Sequence, residues 1–392
     1  MAPGCRTRIL IVDDSAVMRS LLRAVVCADT GLEVAGTAAD GASALSVIAI
    51  LRPDLILLDV EMPVMDGLVT LRELRRLGHK MPVIMCSSLT QRGAKVTLEA
   101  LAGGASDYVA KPAGQASREA SIHLLEQDLI PRIHALTGKL QGRRQGQYPG
   151  PTQGQSSGPA LASFPGAVRL PLTLPMALPK PQPILSTPVV LAVGVSTGGP
   201  AALDILLPAL GGNFPLPVMI VQHMPEVFTK LFAERLDGRC KLRVREAEEG
   251  DQVRAGTIYI ARGNWHMEVH AAGRGPSPAT LHLNQGPLEN HCRPAVDVLF
   301  RSLGAVYGAG VLAVVLTGMG SDGLLGCRMI RDCGGTVLAQ DQASSTVWGM
   351  PGAVTNAGLA HKVLALNDLA PEILQIAGRA RGETRELREA VV

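Results

Sequence analysis

The sequence predicts two α/β domains in series, each a doubly wound parallel sheet, and three observations carry the prediction. Short, wholly apolar runs alternate with longer amphipathic stretches in both halves of the chain, the mark of strands buried on both faces and covered by helices. A stretch rich in Pro, Gly, Gln and Ser, residues 138–188, separates the halves and lacks a hydrophobic period, as a linker does. The length of 392 residues suits two or three domains at roughly 150 residues each. The expected division is 1–137, a linker over 138–188, a second domain over 189–378 and a tail over 379–392.

In the first domain Ile9–Val12, Leu55–Leu58, Val83–Cys86 and Ser106–Ala110 read as buried strands, and the segments after Ser15, Met65 and Gln91 have helical spacing. In the second, Val189–Val193, Val218–Val221, Val311–Leu316 and Thr336–Ala339 read the same way. Between Cys240 and Leu283 the pattern changes to short strands with turn residues, which predicts an antiparallel insertion.

Composition narrows the function. Hydrophobic residues make up 47% and charged residues 18%, enough apolar material for sizeable cores. The formal net charge is +3 with no dense basic run, which argues against nucleic acid as a partner. The seven cysteines show no C-x-x-C spacing, and several lie in apolar runs, which favours free thiols in a reducing compartment. No run approaches the roughly 18 apolar residues of a membrane span, and Ile9–Val12 ends at once in Asp13 and Asp14 rather than forming a signal-peptide core. The expectation is a cytoplasmic protein with no membrane insertion.

Chemistry-bearing residues collect at strand ends. Asp13 and Asp14 close the first strand, Asp59 the third and Ser87 the fourth, and Lys111 follows the fifth. Open parallel sheets gather ligands at the carboxyl ends of their strands. Three carboxylates there make a hard, oxygen-rich site suited to Mg²⁺. Asp59 is placed to attack a phosphoryl group, with Lys111 and the Ser87 hydroxyl receiving the phosphoryl oxygens. A cis bond before Pro112 would fix the aim of Lys111. The plainer reading is that Asp13, Asp14 or Ser15 caps the following helix.

In the second domain the strand from Val189 runs into Gly194-Val195-Ser196-Thr197-Gly198-Gly199-Pro200. Glycines there permit a sharp strand-to-helix turn, and a proline suits a helix's first turn. Ser196 would project beside a helix N-terminus, whose free N–H groups stabilise a developing oxyanion. A phosphate cradle or a capping serine would fit the same spacing, although the lysine of a P-loop is missing. His223 follows the next strand and Asp322 lies just after Val311–Leu316, so a triad of Ser196, His223 and Asp322 can assemble; by position Asp341 competes for the third place. His266, Glu268, His270 and His282 form a second, metal-like pattern that is also ordinary for the polar face of a strand.

Both halves carry a family resemblance. LIVDDSAVMRS, DLILLDVEMPVMDG, IMCSSLT and DYVAKP resemble the signature blocks of the bacterial response-regulator receiver domain, in the family's order. That resemblance implies a flavodoxin-like domain of five parallel strands, a histidine kinase as phosphodonor, phosphorylation at Asp59, and Asp13 and Asp14 helping to hold Mg²⁺. Ser87 and Tyr108 fall at the positions of the switch hydroxyl and switch aromatic. AVGVSTGGPAAL, MIVQHMPEVFTKLFAERLD, RPAVDVLFRSL, VVLTGMGSDGLLG and AQDQASSTVWGMPGAV resemble the CheB family of chemotaxis methylesterases. This second resemblance selects Asp322 over Asp341 and implies that the backbone N–H groups of Thr197 and Met319 serve the oxyanion hole. It implies hydrolysis of γ-glutamyl methyl esters on chemoreceptor cytoplasmic helices, deamidation of receptor glutamines, and no cofactor for the esterase. The order of the domains suggests a receiver packed over the cleft and displaced on phosphorylation. Two other readings share parts of the pattern: a receiver-controlled hydrolase of a different ester or amide, and a non-catalytic regulator whose second domain binds a partner.

Overall fold

The structure is a computed structural model and describes residues 6–112, 117–145, 187–271 and 279–389. The N-terminal unit runs β1 (Thr7–Val12), α1 (Ala16–Ala28), β2 (Leu32–Ala38), α2 (Gly41–Leu51), β3 (Leu55–Asp59), α3 (Gly67–Arg76), β4 (Val83–Ser87), α4 (Gln91–Ala102), β5 (Asp107–Ala110) and α5 (Arg118–Gln145). Its strands form one parallel sheet in the order β2-β1-β3-β4-β5. The chain leaves β1 toward β2 and then crosses to β3, so the switch point lies between β1 and β3, where Asp13 and Asp59 emerge. Helix starts are fixed by side chains: Ser15, Asp40, Asp66 and Thr90 each accept a backbone N–H of the first turn. The capping of α1 thus falls to Ser15, and Asp13 and Asp14 stay at the strand end.

The C-terminal unit begins with β6 (Val190–Val195), α6 (Gly199–Ala209), β7 (Val218–Gln222), α7 (Glu226–Asp237), β8 (Arg243–Glu246) and β9 (Thr257–Ile260). The hairpin β10 (His266–His270) and β11 (Thr280–Asn284) comes next, then α8 (Val296–Tyr307), β12 (Val311–Val315) and α9 (Leu324–Asp332). It ends with β13 (Thr336–Gln340), α10 (Met350–Asn356), β14 (Lys362–Leu364) and α11 (Leu366–Glu389). Seven strands make a parallel sheet in the order β14-β13-β12-β6-β7-β9-β8. Its central strands β6, β7 and β12 are buried along their whole length, and α6, α7 and α11 cover one face while α8, α9 and the hairpin cover the other.

Two expectations need correction. The segment 240–283 is only half antiparallel: β10 and β11 pair that way, but β8 and β9 extend the main sheet in parallel. β8 is the sheet's edge, with Arg243 exposed beside buried Val244, so it shows the alternation of a half-solvated strand. The peptide bond found in the cis form among the described residues is Arg293–Pro294, and Lys111–Pro112 is trans. Lys111 is instead aimed by the register of β5 and by its carboxylate partners.

α5 continues to Gln145, past the point where the Pro- and Gly-rich composition begins, and the remainder of that stretch to residue 186 lies outside the described residues. Among the described residues no helix is long and apolar enough to cross a membrane.

The two units are packed together. The side of the receiver-like unit formed by α4 and β5 lies on α7 and α6, and one apolar cluster joins Ala94, Leu98 and Tyr108 to Phe228 and Phe232. The Tyr108 and Phe228 rings stack at 4.7 Å with an 18° tilt, an arrangement worth about 0.5–1.5 kcal/mol beyond area burial.

Candidate functional site

Asp13, Asp14 and Asp59 each place a carboxylate oxygen within 4.8 Å of the others. Lys111 Nζ lies 2.8 Å from Asp13 Oδ2 and 2.7 Å from Asp59 Oδ1. Burial pushes the Asp59 carboxyl up; Lys111 opposes this and the Asp13 charge adds to it. Burial disfavours the Lys111 charge, but its bonds to Asp13 and Asp59 outweigh that and hold its pKa above the usual value. Such a set of hard oxygen donors fits a divalent cation. Ser87, fully buried, donates to the Ser88 carbonyl at 3.1 Å and accepts from Thr97 at 2.8 Å. Tyr108 points away from this centre, into the contact with Phe228.

The second centre is built from adjacent strand ends. Register sets Val195 beside Gln222, so Ser196 and His223 are the next residues out on neighbouring strands. On the other side of Ser196, its N–H donates to the Thr317 carbonyl at 3.1 Å, past the end of β12. Gly198 takes φ +77°, and a Cβ there would come within 2.4 Å of Thr346 Oγ1. Glycine is therefore required for the turn that presents Ser196. Gln222, buried at the end of β7, holds the Ser196 carbonyl at 3.0 Å.

His223 Nε2 and Asp322 Oδ2 are 2.8 Å apart. The carboxylate is held from every side. Oδ2 accepts the Val296 N–H at 2.7 Å, and Oδ1 accepts those of Asp297 and Gly323, each at 3.0 Å. Val296 and Asp297 open α8, whose N-cap Ala295 has no side-chain acceptor to offer. Asp322 thus satisfies orphan donors at a helix N-terminus, where negative charge is favoured. Burial raises the Asp322 pKa, but His223 and these N–H groups outweigh it and keep the carboxyl low. Burial likewise opposes a charged imidazole, but the hydrogen bond that Asp322 accepts from it and the contact with Cys292 prevail and push His223 up to about 9.

The structure therefore joins His223 to Asp322 and sets Ser196 beside them, with its hydroxyl outside the hydrogen bond. The second imidazole nitrogen, Nδ1, meets Cys292 Sγ at 3.6 Å. Asp341 is spent locally on Ser344 and Ser345. The histidines of the insertion do not gather at one point: His266 contacts the Pro287 carbonyl and Glu268 binds Asn284, while the His270 and His282 rings lie 4.8 Å apart and His282 pairs with Glu249. Sequence reasoning missed Gln222, Asn290, Cys292 and Asp297. The buried glutamine at a strand end was a readable signal, whereas the other three act through contacts distant in sequence.

A cleft of about 560 Å³ lies over His223 and is shared between the units, lined by Tyr108 and Arg132 on one side and by Met224, Cys292 and Arg293 on the other. At its edge Thr197 Oγ1 donates to Asp107 Oδ2 at 2.7 Å, and Arg132 contacts the same carboxylate at 2.7 Å.

Comparison with known proteins finds a match for each unit. The CheB methylesterase family model matches residues 191–373, and the response regulator receiver domain model matches residues 9–123. A protein-glutamate methylesterase/protein-glutamine glutaminase of Nocardioides sp. is 48% identical over 380 residues, covering 97% of each chain. One from Trichodesmium erythraeum is 46% identical over 372 residues, covering 95% of this chain and 99% of its own. The crystal structure of the Thermotoga maritima CheB methylesterase catalytic domain is 38% identical, with a TM-score of 0.47, covering 49% of this chain and 100% of that domain. The chain belongs to the CheB methylesterase family, with a response-regulator receiver domain at its N-terminal end.

Proposed function

We propose that the chain is a phosphorylation-activated protein-glutamate methylesterase acting on chemoreceptors, and a deamidase of their glutamines, with Ser196, His223 and Asp322 as its catalytic residues. The observation that carries the chemistry is the His223–Asp322 hydrogen bond, formed at the strand end adjacent to the glycine turn that presents Ser196. Ser196 Oγ attacks the γ-glutamyl carbonyl and gives its proton to His223 Nδ1, while Asp322 steadies the imidazolium at Nε2. The N–H groups of Thr197 and Met319 receive the oxyanion. The proton passes from His223 to the departing methanol, or to ammonia when the substrate is glutamine. Water then attacks the acyl-enzyme by the same route.

Control resides in the receiver, taken as residues 1–137, joined through 138–188 to the esterase at 189–378, with 379–392 as a tail. Asp13, Asp14 and Asp59 would hold Mg²⁺, which when bound offsets the negative charge of the phosphoryl group. Asp59 takes that group from a kinase phosphohistidine, a P–O bond replacing the P–N bond, and Lys111 and Ser87 engage its oxygens. Tyr108 and Asp107 link the receiver to Phe228 and to Thr197, the residue after the nucleophile. A shift of Ser87 and Tyr108 on phosphorylation would loosen both links and open the cleft to a receptor helix.

Incubation with membranes carrying methyl-labelled chemoreceptors tests the chemistry. Methanol release by the wild type and none by folded Ser196→Ala is expected; equal release from both would overturn the assignment.

A further inference from the structure

Beside the esterase centre lies a short hairpin whose form and contacts the triad does not require. Glu289 and Cys292 exchange both backbone hydrogen bonds, at 3.1 and 2.8 Å. The two residues between them, Asn290 and His291, have φ of +51° and +62°. Paired left-handed residues define a type I′ turn, whose second position is usually glycine. A histidine at that position adopts a backbone that L-residues seldom occupy. The turn is secured by Arg301, which grips both carboxylate oxygens of Glu289 at 2.9 and 2.6 Å.

Two side chains of the hairpin, Asn290 and Cys292, meet members of the triad. Asn290 Nδ2 donates to Asp322 Oδ1 and to Asp297 Oδ2, both at 3.0 Å. One amide thus bridges two buried carboxylates that would otherwise repel each other, and burial with the Asp322 charge holds the Asp297 carboxyl above its usual range. Cys292 Sγ faces His223 Nδ1. With Nε2 committed to Asp322, Nδ1 is the only ring nitrogen left to act as a base.

We propose that the hairpin Glu289–Cys292 is a positioning element of the esterase, in which Asn290 fixes Asp322 and the Cys292 sulfur holds the imidazole nitrogen that must take the Ser196 proton. The inference rests on the triad reading above. While Nε2–H donates to Asp322, Nδ1 is an acceptor, and a thiol is a weak enough donor for the serine hydroxyl to displace it. Once Nδ1 is protonated, its N–H points at sulfur, which favours the charged ring. Cys292 therefore adds to Asp322 in setting the pH at which His223 becomes a base. This agrees with the upward shift of His223, to which the Cys292 contact contributes alongside Asp322.

Other groups facing this cleft must be kept constant in any test. They are Glu226 on α7, His291 and Arg293 on the hairpin side, and Tyr108, Asp128 and Arg132 on the receiver. Variants at Asn290 and Cys292 leave all of these in place.

The test is an NMR titration of the His223 ring in the full chain, alongside the pH profile of methanol release. Cys292→Ala should lower the ring's midpoint by about one pH unit and move the activity profile equally toward lower pH. Cys292→Ser, which keeps a small acceptor, should restore part of the shift. Asn290→Ala should lower kcat about tenfold with KM unchanged, because it loosens the base rather than the substrate. A His223 midpoint in folded Cys292→Ala that matches the wild type would overturn the inference. The ring titration does not need turnover. If methanol release proved independent of Ser196, the triad reading would fall, and the midpoint would still decide whether the hairpin holds the imidazole.

Discussion

The receiver and the esterase put their chemistry in the same topological place and obtain opposite electrostatics. Each is a parallel sheet whose proposed site residues gather at the carboxyl ends of strands around a switch point, between β1 and β3 in one and between β6 and β12 in the other. In the receiver three carboxylates crowd together with Lys111 as the ion-pair partner of two of them, an arrangement that suits the cation and phosphoryl group proposed for it. In the esterase the one carboxylate of the proposed triad, Asp322, is saturated by three backbone N–H groups, an amide and His223, and the proposed nucleophile beside it, Ser196, is neutral. The comparison teaches that topology supplies the location, while the supply of donors around each carboxylate decides what it does. In the proposed mechanism Asp59, with few donors, is left reactive, and Asp322, with many, serves as a fixed charge.

Substitutions sharpen this contrast, beginning with the largest effect. Ser196→Ala should reduce kcat by about 10³-fold or more, measured as methanol release, without moving the melting temperature by more than a degree or two. Equal loss of folding would remove the contrast between a reactive and a structural serine.

Next comes pH. His223 is pushed up to about 9, so at neutral pH most of the rings carry a proton and cannot act as a base. kcat/KM should climb about tenfold per pH unit from pH 7 and level off near 9. A profile already flat at pH 7 would contradict the strong Asp322 pairing.

Third is Tyr108→Ala. Loss of the stack with Phe228 should raise the unphosphorylated rate by up to about tenfold, the kinetic equivalent of the stacking energy. An unchanged basal rate would mean that this contact does not restrain the cleft.

The smallest effect concerns stability. Because the folded His223 pKa lies above the unfolded value near 6.5, its contribution is fully present below that pH and is lost as pH rises through about 9. Thermal melts should fall by roughly a few degrees between pH 7 and 9.5 in the wild type, and by less in His223→Gln.

Much of this was legible in the sequence because buried parallel strands read as unbroken apolar runs, and their ends mark where ligands gather. Asp13, Asp59, Ser196 and His223 could be placed in that way, and all lie at strand ends. The parallel pairing of β8 with β9 could not, since an edge strand wetted on one face alternates as an antiparallel strand does. The aim of Lys111 comes from Asp13 and Asp59 rather than from its proline, and a sequence does not display ion pairs. Asn290 and Cys292 lie far along the chain from Asp322 and His223, and only the folded turn brings them there. The partner of Tyr108 belongs to the other domain, which local pattern does not reach.

The central claim is that phosphorylation of Asp59 releases a Ser196-dependent esterase. It is tested most directly by the rate of methanol release from methyl-labelled receptor membranes, with and without a small-molecule phosphodonor, for wild type and Asp59→Asn. The account predicts that phosphodonor speeds the wild type several-fold and leaves Asp59→Asn at its basal rate. An equal rise in both proteins, or a wild-type rate indifferent to phosphodonor while Asp59 is shown to be phosphorylated, would contradict it.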